Sequence, residues 1–238
     1  MRNIHTLLFA LCALSIGFGG LAYAEHHEGG NHQRTSSDHN AKFKSANLDV
    51  EKWQARLEDP NRDVIANKQA IVDAMKLKPG AYVADVGAGT GPYIDPVLKA
   101  IGKDGYYYAA DIAPAFGGFM RDMVDEKGYE NVSVIVSQFD SATLPPNAVD
   151  TVFVIDTYHH FDQYNAMLKS MHKALKQGGE LIIVDFDRHD AAREWVRTHI
   201  RASKEVFREE IKAKGFAFIE EVKIDSLKEN FFFRFKKL

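Results

Sequence analysis

Three kinds of residue in this chain could do chemistry, and each kind stands at the end of an apolar run. The first is Asp85-Val86-Gly87-Ala88-Gly89-Thr90-Gly91, an acid followed by three glycines at alternate positions. Glycine has no Cβ, so such a stretch turns tightly and lets a ligand lie against bare backbone. The second is a series of carboxylates, Asp111, Asp140, Asp156 and Asp185. A carboxylate at a strand end can accept hydrogen bonds from ribose hydroxyls or from an amino group. Asp111, followed by Ile112, lies 20 residues beyond Gly91, the interval at which a ribose-binding acid is expected. The third is Tyr158-His159-His160. An imidazole there, His160 or His159, could take a proton from a phenol or amine as a general base. A histidine that merely packs in a loop is the alternative.

Metal chemistry is a weaker reading. Asp156, His159 and His160 could join Asp185, Asp187 and His189 around a divalent ion. That spacing is unspecific, solvated loop charges explain it equally, and no metal site is assigned. The four histidines His26, His27, His32 and His39 lie in a polar tract that enforces no ligand geometry.

The elements that must hold these groups follow from periodicity. Tyr82 to Val86 reads as a strand, and Ile94, Val97, Leu98 and Ile101 follow at helical spacing, with Pro92 suited to the helix start. Strand, glycine turn and helix open a doubly wound α/β domain. Further strands are expected at 106–110, 132–136, 149–155 and 181–184, with helices between them. The run at 149–155 is nearly all apolar, as in a strand covered on both faces. Asp162 could cap the helix that follows it, and Gly178-Gly179 should stop that helix. Phe216 to Ile224 and Phe231 to Phe235 are too close for a crossover helix, so they should pair antiparallel. The fold expected is a Rossmann-like seven-stranded sheet, mostly parallel with an antiparallel C-terminal pair. Two helical pieces over 48–77, broken at Asp59-Pro60-Asn61, could cap the ligand site or simply pack on the sheet. Trp195, His199 and Arg201 could shape a substrate pocket or simply pack at the sheet edge.

Composition limits the partners. The 238 residues are 45% hydrophobic and 26% charged, with a net charge of −3, an ordinary globular balance. Lys and Arg are scattered among acids, which argues against a nucleic-acid partner. Residues 1–24 read as a signal peptide: Arg2, an apolar run from Leu7 to Leu21, and Ala22-Tyr23-Ala24 as a cleavage site. The run is short for a membrane span, so no stable span is expected after cleavage. A periplasmic location is expected, an uncleaved membrane tether being the alternative. The single cysteine, Cys12, lies in that segment, and a mature chain would have no thiol chemistry. Residues 25–46 read as a flexible polar linker, and 47–238 as the folded domain. Nothing in the sequence specifies an oligomeric state.

Over roughly residues 50–238 the chain resembles the class I S-adenosylmethionine-dependent methyltransferases that act on small molecules. Asp85-x-Gly87-x-Gly89-x-Gly91 matches that family's first motif, Asp111 its ribose acid, and Asp140-Ser141 with Leu144-Pro145 its adenine segment. Leu175-Lys176-Gln177-Gly178-Gly179 matches its turn before the fifth strand, with Gln177 in place of proline. The resemblance implies methyl transfer from S-adenosylmethionine to a small-molecule substrate. It implies that Gly87, Ala88, Gly89 and Gly91 approach the methionine part and that Asp111 and Ile112 hold the nucleoside. It further implies that Asp140 and Ser141 meet the adenine, and that Asp156 and Thr157 face the methionine amino group and sulfonium. A non-catalytic exported binding protein on the same fold is the competing reading. An NAD(P)-dependent oxidoreductase is disfavoured, because Pro92 stands where a dinucleotide motif wants its third glycine.

Overall fold

The seven strands form one sheet in the order β3-β2-β1-β4-β5-β7-β6. In the computed structural model, which describes residues 40–45 and 47–238, β1 (Tyr82–Val86) occupies the centre between β2 (Tyr106–Asp111) and β4 (Val149–Ile155), parallel to both. β3 (Val132–Val136) and β5 (Leu175–Phe186) extend the parallel part on either side. β7 (Asn230–Lys237) runs antiparallel to β5, and β6 (Phe216–Glu221) antiparallel to β7. The sequence reading of the fold class therefore holds. The predicted signal segment and the lead-in up to residue 39 lie outside the described residues.

Period-two alternation divides the core between the two faces of the sheet. Val152 and Val154 of β4, Leu181 and Ile183 of β5, and Phe231, Phe233 and Phe235 of β7 pack on one side with Leu168, Met171 and Phe207. Their neighbours Phe153, Ile155, Ile182, Val184 and Phe232 pack on the other with Ile94, Val97 and Tyr107. Both faces are covered, which is why these runs read as continuous apolar stretches. Fully burying one such side chain is worth roughly 1.5–3 kcal/mol. Arg234 ties the antiparallel end together, its guanidinium donating to Glu180 of β5 and Glu220 of β6, each at 2.6 Å.

The helices fill the crossovers. α1 (Val50–Leu57), α2 (Asp63–Ala66) and α3 (Lys68–Ala74) precede β1. Asp49 caps α1 by accepting from the Lys52 amide, and the chain breaks where Asp59-Pro60-Asn61 predicts. α4 (Ile94–Ile101) links β1 to β2, and α5 (Pro114–Lys127) ends at Gly128 in the left-handed region, as a glycine cap should. α6 (Tyr164–Ala174) precedes β5, while α7 (Glu194–His199) and α8 (Lys204–Lys212) join β5 to β6.

Local expectations differ from the structure in four places. Asp162 does not cap α6. Gln163 is the N-cap residue and makes no side-chain capping bond, while Asp162 accepts from Asn40. Gly178-Gly179 does not stop the helix. Leu175 already pairs with Val149, and the glycines lie inside an irregular start of β5. Gly178 has φ +73°, and a Cβ on Gly179 would approach the Asp150 carbonyl oxygen to 2.9 Å. Pro92 precedes α4 rather than entering its first turn. Part of the expected flexible linker is folded: Ala41–Lys44 form a turn of 3-10 helix, and the Phe43 ring sits 5.0 Å from that of Trp53.

Candidate functional site

A cavity of about 830 Å³ opens where β1, β2 and β4 end, and Gly87, Gly89, Asp111, Ile112, Asp156 and Thr157 line one side of it. Carboxyl ends of strands in an open α/β sheet are where ligands bind. The volume lies in the upper part of the range for ligand pockets, roughly 300–1,000 Å³.

The glycine turn is fixed by its neighbours. Asp111 Oδ2 accepts from the Gly89 amide at 2.8 Å, and its Oδ1 accepts from the Ala113 amide at 2.8 Å. One carboxylate thus ties the turn after β1 to the end of β2. Burial raises the Asp111 pKa, and those backbone donors oppose the rise. Gly87 has φ +91°, and a Cβ there would fall 2.6 Å from Thr157 Oγ1. Only a glycine allows the ends of β1 and β4 to approach so closely.

Asp156 is held in an unusual conformation. Its φ is +47°, a region few non-glycine residues enter. Arg62 donates to its Oδ2 at 2.7 Å and Asn230 to its Oδ1 at 2.6 Å. Strained backbone persists where the surroundings over-determine it, and such places cluster at functional sites. Burial pushes the Asp156 carboxyl up to about 7, against the pull of Arg62.

Asp85 does not line the main cavity. It lies behind the turn, where it accepts from the Tyr107 hydroxyl at 2.8 Å. Burial pushes its carboxyl from the ordinary 3.8 up to about 7. The folded protein then binds a proton that the unfolded chain has released, so this group costs stability as pH rises from about 4 to about 7. Asp85→Asn keeps an acceptor for Tyr107 and removes the titration. In urea melts of the cofactor-free protein, the stability gained over wild type should widen from about pH 4 to about pH 7 and stay level above. An Asp85→Asn difference that does not change with pH would show that the carboxyl is ionised throughout.

Aromatic side chains also line the cavity. Phe43, Trp53, Phe116, Phe139, Phe186 and Trp195 contribute rings. Set among them are His159, His160 and His199, whose ring centroids lie 4.1 to 5.3 Å apart. His159 and His160 come from a 3-10 turn at Tyr158–His160 directly after β4. His159 is buried, with Asp185 accepting at 2.7 Å from its Nδ1 and at 3.0 Å from its backbone amide. His199 comes from the end of α7 and stacks on Trp195 at 4.5 Å.

Several expected residues lie elsewhere. Asp140 and Ser141 are absent from the cavity wall. The chain reverses after β3 through a bridge between Gln138 and Ser141, which leaves Asp140 exposed and presents Ser137 and Phe139 to the cavity instead. Ala88 lies in a smaller adjoining pocket with Asp85 and Gly89. Gly91 packs internally, where a Cβ would meet Ile94 at 2.8 Å. Tyr158 points into the core and donates to Glu210, which also binds Arg201. Arg201 therefore serves the ion pair with Glu210, while Trp195 and His199 line the cavity. Asp187 pairs with Lys204 at 2.7 Å and His189 is exposed, so neither joins the histidine cluster.

Sequence reasoning missed Arg62, Asn230, Phe43 and Trp53 as cavity residues. Arg62 follows the Pro60 break and Asn230 opens the last strand; neither position carries a chemical signature. Phe43 is an aromatic residue inside a polar tract, the one signal that pointed to a folded role.

Comparison with known proteins agrees with this fold. Residues 83–179 match the family model described as a methyltransferase domain. A ubiquinone/menaquinone biosynthesis C-methyltransferase of Hydrogenovibrio crunogenus is 26% identical over 122 residues, 51% of this chain and 48% of that protein. The Vibrio cholerae protein of the same name is 25% identical over an equal stretch. The chain thus spans about half the length of these curated relatives. Among solved structures, a SAM-dependent methyltransferase from Aquifex aeolicus superposes with a TM-score of 0.70 at 24% identity, over 80% of this chain and 99% of that one. The [4+2]-cyclase SpnF superposes with a TM-score of 0.62 at 15% identity, over 71% of this chain and 80% of that one. At these identities the structures attest the fold alone.

Proposed function

We propose that this chain, which carries a methyltransferase domain over residues 83–179, transfers the methyl group of S-adenosylmethionine to a small aromatic acceptor. One observation carries the reading: a single cavity has both a lining of backbone and carboxylates, the first wall, and a lining of aromatic rings and imidazoles, the second. The first wall suits a zwitterionic nucleoside cofactor and the second a planar acceptor.

On the first wall, Asp111 takes the ribose hydroxyls beside Ile112. The methionine part lies over Gly87 and Gly89. Asp156 and Arg62, paired at 2.7 Å, separate to receive the ammonium and carboxylate of the methionine. The adenine end meets Ser137 and Phe139, with Asp140 and Ser141 at the outer edge of that loop. Thr157 stands near the sulfonium. The sulfonium is already an activated donor, so the main task of the protein is to align the acceptor with it and exclude water. Trp53 and Phe43 cover the cavity from the N-terminal side. The acceptor's proton leaves through the imidazoles, His159 held in one orientation by Asp185 and His160 beside it; these are the proposed proton acceptors.

The acceptor class draws support from the ring-lined wall and from relatives named for quinone biosynthesis. Export by the N-terminal segment to the periplasm, or tethering by it, belongs to the same proposal. It draws on the sequence of residues 1–24. Among the described residues no helix is long and apolar enough to cross a membrane.

Titration calorimetry should show binding of S-adenosylmethionine and none of NAD. Incubation with methyl-labelled cofactor should then label phenols or quinols in preference to aliphatic amines. Binding of NAD alone would move the chain to the oxidoreductases. Cofactor binding with no acceptor labelled across the panel would favour a binding protein that has kept the fold, and the cyclase neighbour shows that this fold is not tied to methyl transfer.

A further inference from the structure

We propose that His159, His160 and His199 form a three-imidazole site for a divalent transition-metal ion, with Asp185 as the outer partner of His159. Each of the three histidines offers a ring nitrogen, and these atoms lie within 4.8 Å of one another. Two elements far apart in sequence, the turn after β4 and the end of α7, deliver them to one spot on the cavity wall.

The donor set selects the metal class. Imidazole suits zinc, iron, copper and nickel, whereas magnesium and calcium want oxygen ligands. Three protein ligands with a remaining open position is the arrangement of catalytic rather than structural zinc. Asp185 supplies the second feature of such sites. It accepts from Nδ1 of His159 at 2.7 Å and is itself fully buried, which fixes the ring and directs Nε2 as the ligating nitrogen. Asp185 is held in turn by the backbone amides of His159 and Phe186.

The site lies in the same cavity as the glycine turn and Asp111. On the methyl-transfer reading, on which this role rests, the open position would hold an acceptor hydroxyl. A bound ion would lower that hydroxyl's pKa, its proton passing to water. An oxygen lone pair then forms the bond to the methyl carbon, and the broken S–C bond leaves its electron pair on sulfur as a neutral thioether. With the ion bound the imidazoles act together as ligands, and the proton-accepting role proposed above for His159 and His160 belongs to the site without it.

The test is a metal titration with no methyl donor present, so its outcome is independent of whether the chain transfers methyl groups. The full chain is used with His26, His27, His32 and His39 changed to Asn, so that the lead-in histidines contribute nothing. After chelation and dialysis, Co²⁺ should bind with a stoichiometry of one and give the visible d–d absorption of a low-coordinate nitrogen site. Zn²⁺ should displace it. His199→Asn should lose the absorption and bind at least tenfold more weakly. Asp185→Asn should weaken binding roughly ten- to a hundredfold. Circular dichroism checks that each variant is folded; should Asp185→Asn not fold, His199→Asn at the half-exposed end of α7 carries the test. Absence of the d–d bands in the parent, or equal affinity in parent and His199→Asn, would overturn the proposal.

Discussion

Gly87→Ala is expected to be the most damaging glycine-to-alanine change among the described residues, costing roughly 3 kcal/mol or more and abolishing cofactor binding. Two independent penalties add. The backbone at Gly87 has φ +91°, which an L-residue rarely adopts. The new Cβ would also lie 2.7 Å from Thr157 Cβ and 2.6 Å from its Oγ1, with Cγ2 closer still. Thr157 cannot swing away freely, because its hydroxyl donates to the Ile155 carbonyl at 2.9 Å. Denaturant melts of Gly87→Ala, Thr157→Gly and the double variant separate the two penalties. Thr157→Gly should recover the steric part in the double variant and leave the backbone part. Gly89→Ala is the milder comparison, since its Cβ would meet the flexible end of Leu57 at 3.1 Å. Equal losses at positions 87 and 89 would mean that the approach of β1 to β4 is not the constraint.

Asp111→Asn should weaken binding of S-adenosylmethionine about a hundredfold while the fold survives. The carboxylate has two tasks. It accepts from the Gly89 and Ala113 amides, which shapes the turn, and it lines the cavity, where ribose hydroxyls would donate. Hydrogen bonds to a charged group are worth about 1.5–3 kcal/mol each. Losing the charge and turning one acceptor into a donor removes about 3 kcal/mol, two factors of ten. Calorimetry reads the affinity and a thermal melt reads the turn. If affinity falls less than threefold, the ribose does not lie at Asp111. If the melt collapses as well, the carboxylate serves mainly to hold the turn.

The sheet was legible because its signals are local. Alternation and apolar runs mark each strand, and the short span between the last two rules out a crossover helix. The glycines and Asp111 were legible for the same reason, since successive turns at φ above zero between β1 and its helix are marked by glycines. Other positions depended on pairings that residue type does not announce. The family resemblance puts Asp140 at the adenine; in the structure the chain reverses through the Gln138–Ser141 bridge, Asp140 is exposed and Phe139 lines the cavity. Gly178-Gly179 looked like a helix stop, but pairing of Leu175 with Val149 had already started the strand.

By itself the sequence determined the doubly wound architecture, the glycine turn and the acid that ties it, because each depends on residues adjacent in the chain or on a two- or four-residue period. Only the tertiary structure decided what lies opposite that turn. It set Arg62 and Asn230 on Asp156 from 94 and 74 residues away, and it turned Arg201 inward while leaving His199 beside His159 and His160. These are pairings between side chains on separate elements. No local period encodes them, and they exist only once the sheet has brought the strand ends together.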